Sequence, residues 1–250
     1  MGVTLPFLIL AGSPVLLGAA LFVFGACLGT LDVAMNVHGA EVERMETRPL
    51  MSGFHAQFSI GGFAGAGLMT ALLSLGLTPL AAALIGAILT LGTMMIAAPR
   101  LMRARGGEPE PFALPRGVVL LLALLAAIAF LVEGAILDWG ALLLIEREMS
   151  EARNAGLGYM LFSVAMVAGR LSGDWQVSRI GEGPILVGGG IVTIAGLALA
   201  LVGVSPPLTL AGFVLVGLGA ANLVPVVFSI AGRQKIMPAG LAIASVTTTG

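Results

Sequence analysis

Residues 183–232 read GPILVGGGIVTIAGLALALVGVSPPLTLAGFVLVGLGAANLVPVVFSIAG, fifty residues without a formal charge. A helix that crosses a bilayer needs about 20 predominantly apolar residues. The stretch therefore holds two such helices, with Ser205-Pro206-Pro207 at the turn, because proline interrupts a helix. Strands of a membrane β-barrel would be about 10 residues long and would alternate in polarity. This run is too long and too uniform for that.

The rest of the chain repeats the pattern. Residues 1–31 carry no charge and break at Gly12-Ser13-Pro14, which leaves one helix or the end of one, then a second running to about Ala40. Residues 50–99 are also free of charge, with Leu77-Thr78-Pro79 as a tight hairpin between two spans. Further spans are expected at 117–145, which contains two carboxylates, and at 155–175, and one begins at Ala239. The count is about nine. Hydrophobic residues make up 58% of the chain and charged residues 10%, against about 25% charge in a soluble domain. Such a chain cannot build a water-facing surface. The fold expected is an all-α, multi-pass membrane bundle in contact with lipid, and the charges form no basic face for nucleic acid.

Loop charges give an orientation. If every span crosses, Arg44, Arg48, Arg100, Arg103, Arg105, Arg116, Arg170, Arg179, Arg233 and Lys235 fall on one side, and only Arg147 and Arg153 on the other. This bias places the first side in the cytoplasm and the protein in the cytoplasmic (inner) membrane. The N-terminal apolar stretch has no charged n-region, so no cleavable signal peptide is expected. Cys27, the single cysteine, reads as a small buried apolar residue.

An internal repeat follows. FVFGACLG at 22–29 and FVLVGLG at 213–219 each open a span with a polar residue near its middle, Asp32 and Asn222. A short basic loop follows each, then Ser52-Gly53-Phe54 or Ala239-Gly240-Leu241. Parallel transporter halves repeat in this way. The expected domains are residues 1–99, a polar and proline-rich cytoplasmic linker at 100–116 (RLMRARGGEPEPFALPR), and residues 117–250. On this reading two spans are missing at the front and part of the last pair at the end.

The segment 168–181, AGRLSGDWQVSRIG, resembles the loop signature of the major facilitator superfamily, with Gly173, Asp174, Arg179 and Gly181 at its elements. The resemblance implies that this span is the eighth helix, that the chain covers helices three to eleven of twelve, and that Arg170, Asp174 and Arg179 belong to a gate-stabilising charge network. The stretch 29–65, GTLDVAMNVHGAEVERMETRPLMSGFHAQFSIGGFAG, looks like the fourth and fifth helices of the fucose-permease-like branch, through Asp32, Ala34, Asn36, His55, Gln57, Phe58 and Ser59.

Asp32 is the sharpest candidate. An ionisable group at membrane depth costs at least ~2.5–3.5 kcal/mol and must face a partner or water. It suits a proton carrier or an acceptor for solute hydroxyls, and Asn36 lies one turn on along the same face. Glu133 lies about 24 Å into its span and Asp138 about 32 Å in, at ~1.5 Å per residue. Glu133 is thus within the hydrocarbon and Asp138, beside Trp139, near the outer interface. His55 is a candidate gating or proton group, His38 a structural one, and Asn222 a pore-lining group ahead of the helix-kinking Pro225. The Gly25/Gly29 and Gly61/Gly65 spacings read as helix packing.

No nucleophile–base constellation, phosphate loop or metal motif is present in the sequence, so neither an enzyme nor a bound cofactor is expected. The reading is a monomeric, proton-coupled secondary transporter for a small solute, sugar-like or drug-like. A membrane-embedded enzyme, a lipid-handling protein and a non-transporting receptor are the alternatives.

Overall fold

The computed structural model describes residues 1–102, 114–149 and 156–249. Most of the linker and Arg153 therefore lie outside the described residues. Every extended regular element among the described residues is helical. The helices are α1 (Leu5–Leu10), α2 (Pro14–Glu46), α3 (Met51–Ser74), α4 (Pro79–Ala97), α5 (Val118–Glu146), α6 (Leu157–Ile180), α7 (Glu182–Val202), α8 (Pro206–Ala220), α9 (Leu223–Arg233) and α10 (Ala239–Thr249). Among the described residues, six segments are long and apolar enough to cross a membrane: Pro14–Glu46, Met51–Ser74, Pro79–Arg100, Val118–Glu146, Glu182–Val202 and Pro206–Arg233. The breaks at Gly12-Ser13-Pro14, Leu77-Thr78-Pro79 and Ser205-Pro206-Pro207 fall where the punctuation residues put them. At the second, Thr78 Oγ1 accepts from Ala81 N at 3.3 Å and Pro79 opens α4, the ordinary chemistry of a helix start.

Two boundaries differ from the sequence expectation. Helix α2 does not stop near Ala40 but continues to Glu46, so Glu41, Glu43 and Arg44 are helical. The last long segment breaks at Ala221–Asn222, upstream of Pro225.

The described residues form two compact units. The first comprises residues 1–38 and 59–102. In it α1 packs on α4, while α2 keeps side chains such as Val15 and Phe22 exposed. A Cβ on Gly25, Gly29, Gly61 or Gly65 would meet nothing within 4 Å. The packing role expected for those two glycine pairs is therefore not seen.

The second unit comprises residues 39–58, 114–149 and 156–249, and its close glycine contact lies elsewhere. Gly189, Gly196 and Gly203 of the α7 segment face Thr209, Gly212 and Gly219 of α8. A Cβ on Gly196 would stand 2.6 Å from Val216 N, and one on Gly219 2.5 Å from Thr193 N. Membrane helices associate by such close backbone approach, since lipid supplies no hydrophobic drive between them. On its other side α8 packs against α6 around Phe162, Met166, Phe213 and Val216. Helix α10 lies on α5 and α9, where Thr249 Oγ1 donates to Ala123 O at 3.0 Å.

Candidate gate and transport site

The site grows from the break in the last long segment. Pro225 has no N–H, so the carbonyl four residues back, at Ala221, loses its helical donor. Arg170 of α6 fills that vacancy: its Nε donates to Ala221 O at 3.3 Å. The same side chain, buried on α6, forms an ion pair with Glu133 of α5 at 3.7 Å. Arg170 was grouped with the loop arginines in the sequence. It lies instead inside the bundle, and its carboxylate partner is the one expected at hydrocarbon depth.

Asn222 sits at the break, at the N-cap of α9. Its Nδ2 donates to Gly169 O at 3.1 Å, and the side chain is 5% exposed. Its Oδ1 is buried without a hydrogen-bond partner among the described residues. A Cβ on Gly173 would overlap that oxygen and lie 2.6 Å from Ser52 Oγ. Only glycine at 173 lets Asn222 and Ser52 come this close to α6.

The next residue, Asp174, holds the start of α3. Its two carboxylate oxygens accept from Ser52 N at 2.9 Å and Gly53 N at 2.8 Å. Glu43, at the end of α2, accepts from Leu50 N at 2.7 Å and Met51 N at 2.9 Å. The first N–H of α3 with a helical partner is that of Phe54, which donates to Leu50 O. The first four N–H groups of a helix have no partner within it, and here two carboxylates take all four. Negative charge at this end also meets the positive pole of the helix dipole. The other Glu43 oxygen accepts from Ser229 Oγ of α9. Next to it, Arg233 pairs with Glu182 and donates through Nε to Ser229 O at 3.2 Å.

His55 stacks on Phe228 with ring centroids 5.7 Å apart and lies within electrostatic reach of Arg170. The structure thus gathers His55, Glu133, Asn222, Arg170 and Asp174 in one unit. Asp32 and Asn36 belong to the other, where Asn36 Nδ2 donates to Asp32 Oδ1 at 3.1 Å and to Asp32 O at 3.0 Å. Arg179 is exposed in the last turn of α6, and Gly181 ends that helix at φ +87°. Asp138 and Trp139 are exposed. Arg170 and Asp174, four apart, reach different partners: one Glu133, the other the start of α3. Glu43 and Ser229 were not singled out from the sequence. Glu43 sits among the charges Glu41, Arg44 and Glu46, which read as an ordinary helix end. No group of three metal-ligating side chains occurs among the described residues.

Apolar helices of spanning length, glycine-mediated helix contacts and a helix start clamped by charges define a polytopic helical membrane protein. Among known proteins, the chain is 43% identical to an uncharacterized MFS-type transporter of Yersinia pestis, over 98% of this chain and 65% of that protein. It is 37% identical to an uncharacterized transporter of Sinorhizobium fredii, over 98% of this chain and 67% of that one. Membrane protein MosC of Rhizobium meliloti is 29% identical over 92% of this chain and 57% of its own length. The chain belongs to the MFS-type transporters, and it spans about two thirds of the length of the first two relatives. No family model and no solved structure matches it.

Proposed function

We propose that this chain is part of a secondary active transporter that moves a small solute across the cytoplasmic membrane by alternating access, coupled to protons. The observation that carries the reading is the clamp on α3. Two carboxylates from different helices hold four backbone N–H groups at one helix start, by bonds that can break and re-form as rigid segments move. The loops with Arg44, Arg100 and Arg179 lie on the cytoplasmic side in this reading, so the clamp is a cytoplasmic gate. Glu133, ion-paired to Arg170, and Asp32, bonded to Asn36, are the two intramembrane carboxylates that exchange protons, and His55 beside Arg170 senses the exchange. Asp32 with Asn36 offers an acceptor and an amide to the hydroxyls of a sugar-like solute, as in the fucose-permease-like branch.

The test is uptake into proteoliposomes under an imposed pH gradient. Asp32→Asn removes the titrating proton and keeps the shape. Gradient-driven uptake is expected to fall at least about tenfold, while solute exchange without a gradient persists, because one lost proton step removes the drive and leaves the pathway. Gradient-driven uptake equal to wild type would remove Asp32 from the coupling scheme.

A further inference from the structure

Beside the clamp, and sharing Glu43 and Ser229 with it, is a pocket. Its cavity is about 190 Å³ and is lined by Arg44, Arg48 and Arg233, with Thr47, Glu43 and Glu182 between them. Helix α2 ends here, α3 and α7 begin, and α9 ends. In a membrane protein that is the depth of the lipid headgroups.

The charges are arranged unevenly. Glu43 turns its oxygens inward, to Leu50 N, Met51 N and Ser229 Oγ. Glu182 is taken by Arg233. Arg44 and Arg48 remain at the mouth, with side chains 62% and 69% exposed, paired to Glu41 and Glu46 outside the lining. Exposed pairs of this kind hold weakly and exchange readily for a better anion. A guanidinium pair favours a phosphate, whose oxygens accept forked N–H donors.

The backbone supports the same reading. Thr47 lies at φ +56° directly after α2. This is the left-handed position where glycine is usual, and a β-branched residue there is an outlier. Such strain persists where the surrounding structure imposes it, and it clusters at ligand clamps. Here it brings Thr47 and Arg48 to the same cavity that Arg233 lines from α9.

We infer that the pocket of Arg44, Arg48 and Arg233 at these helix ends binds a phosphate-bearing anion, either the headgroup of an anionic lipid or a free phosphate. The chemistry is common to both sources, since basic pockets at helix ends hold anionic headgroups by the same contacts.

The test follows the thermal midpoint of the purified protein in detergent. It is titrated with short-chain phosphatidylglycerol, with inorganic phosphate, and with two controls: short-chain phosphatidylcholine and sodium chloride at matched ionic strength. A saturable rise with phosphatidylglycerol beyond both controls supports the site and assigns the lipid. A saturable rise with inorganic phosphate supports it and assigns a soluble source. In the Arg44→Gln/Arg48→Gln variant the apparent affinity is expected to fall about tenfold or more, from the loss of two charge-assisted contacts at an exposed mouth. Arg48→Lys keeps the charge but not the fork and should lose a few-fold; it also serves if the double variant does not fold. The inference is overturned if neither anion exceeds its control, or if Arg48→Lys and the double variant titrate as wild type.

Discussion

Gly212→Leu is expected to abolish accumulation of folded protein. A Cβ at Gly212 would stand 2.5 Å from Ala200 N and 2.7 Å from Gly196 O. Both are backbone atoms of α7 and cannot turn aside as a side chain can. The helices must separate, and the separation runs the length of the contact, because Gly189 and Gly219 meet in the same way. Phe213 and Val216, the core residues beside Gly212, would be pulled from Phe162 and Met166. Overpacking alone costs about 1–3 kcal/mol. With the lost core contacts the sum exceeds about 4 kcal/mol, which is severe for a single substitution. Gly190→Leu is the control. It lies on the partner helix α7, a Cβ there meets nothing within 4 Å, and little change is expected. Size-exclusion profiles and thermal midpoints of the two variants check the pair. Equal behaviour would mean that α7 and α8 do not meet through these glycines.

Asp174→Asn is the second large effect, and it falls on function. Two backbone N–H groups donate to this carboxylate at 2.9 and 2.8 Å. Hydrogen bonds to a charged group contribute about 1.5–3 kcal/mol each. An amide retains one accepting oxygen and sets an NH₂ against the other N–H. A loss of about 3 kcal/mol shifts the population of the clamped state roughly a hundredfold. Hydrogen exchange reads this directly. The amides of Ser52 and Gly53 should exchange roughly a hundred times faster. Those of Leu50 and Met51, held by Glu43, should change much less. Glu43→Gln should give the reverse pattern. Solute uptake by Asp174→Asn should fall about tenfold or more, since a gate that cannot close leaves one face of the cycle underpopulated. Unchanged exchange at residues 52 and 53 would show that the clamp carries no energy.

The contrast between these sites shows what was legible in the residues. Charge-free runs of spanning length, with proline and glycine at their breaks, placed α2, α3, α4, α5, α7 and the α8–α9 segment. That information is local: in lipid every backbone group must be satisfied within its own helix. The motif around Gly173 and Asp174 pointed to a turn of α6 whose carboxylate accepts from the start of α3, and Pro225 announced a break.

What those features bond to was not legible. Asp174 meets residues 121 and 122 positions away, and Glu43 meets Ser229 across 186. A soluble helix would betray its buried face by amphipathic spacing. These helices are apolar all round, so the spacing does not say which face meets protein and which meets lipid. For the same reason Gly25/Gly29 and Gly61/Gly65 looked like packing positions, while the close contacts fell to Gly189, Gly196, Gly212 and Gly219. The sequence by itself determined a multi-helix membrane chain and where its helices break. Tertiary structure alone decided which glycines touch, that Ala221 O passes from a missing proline donor to Arg170, and that the four free N–H groups of α3 are shared between Glu43 and Asp174. Those choices depend on how rigid helices cross one another, and no single helix encodes that crossing.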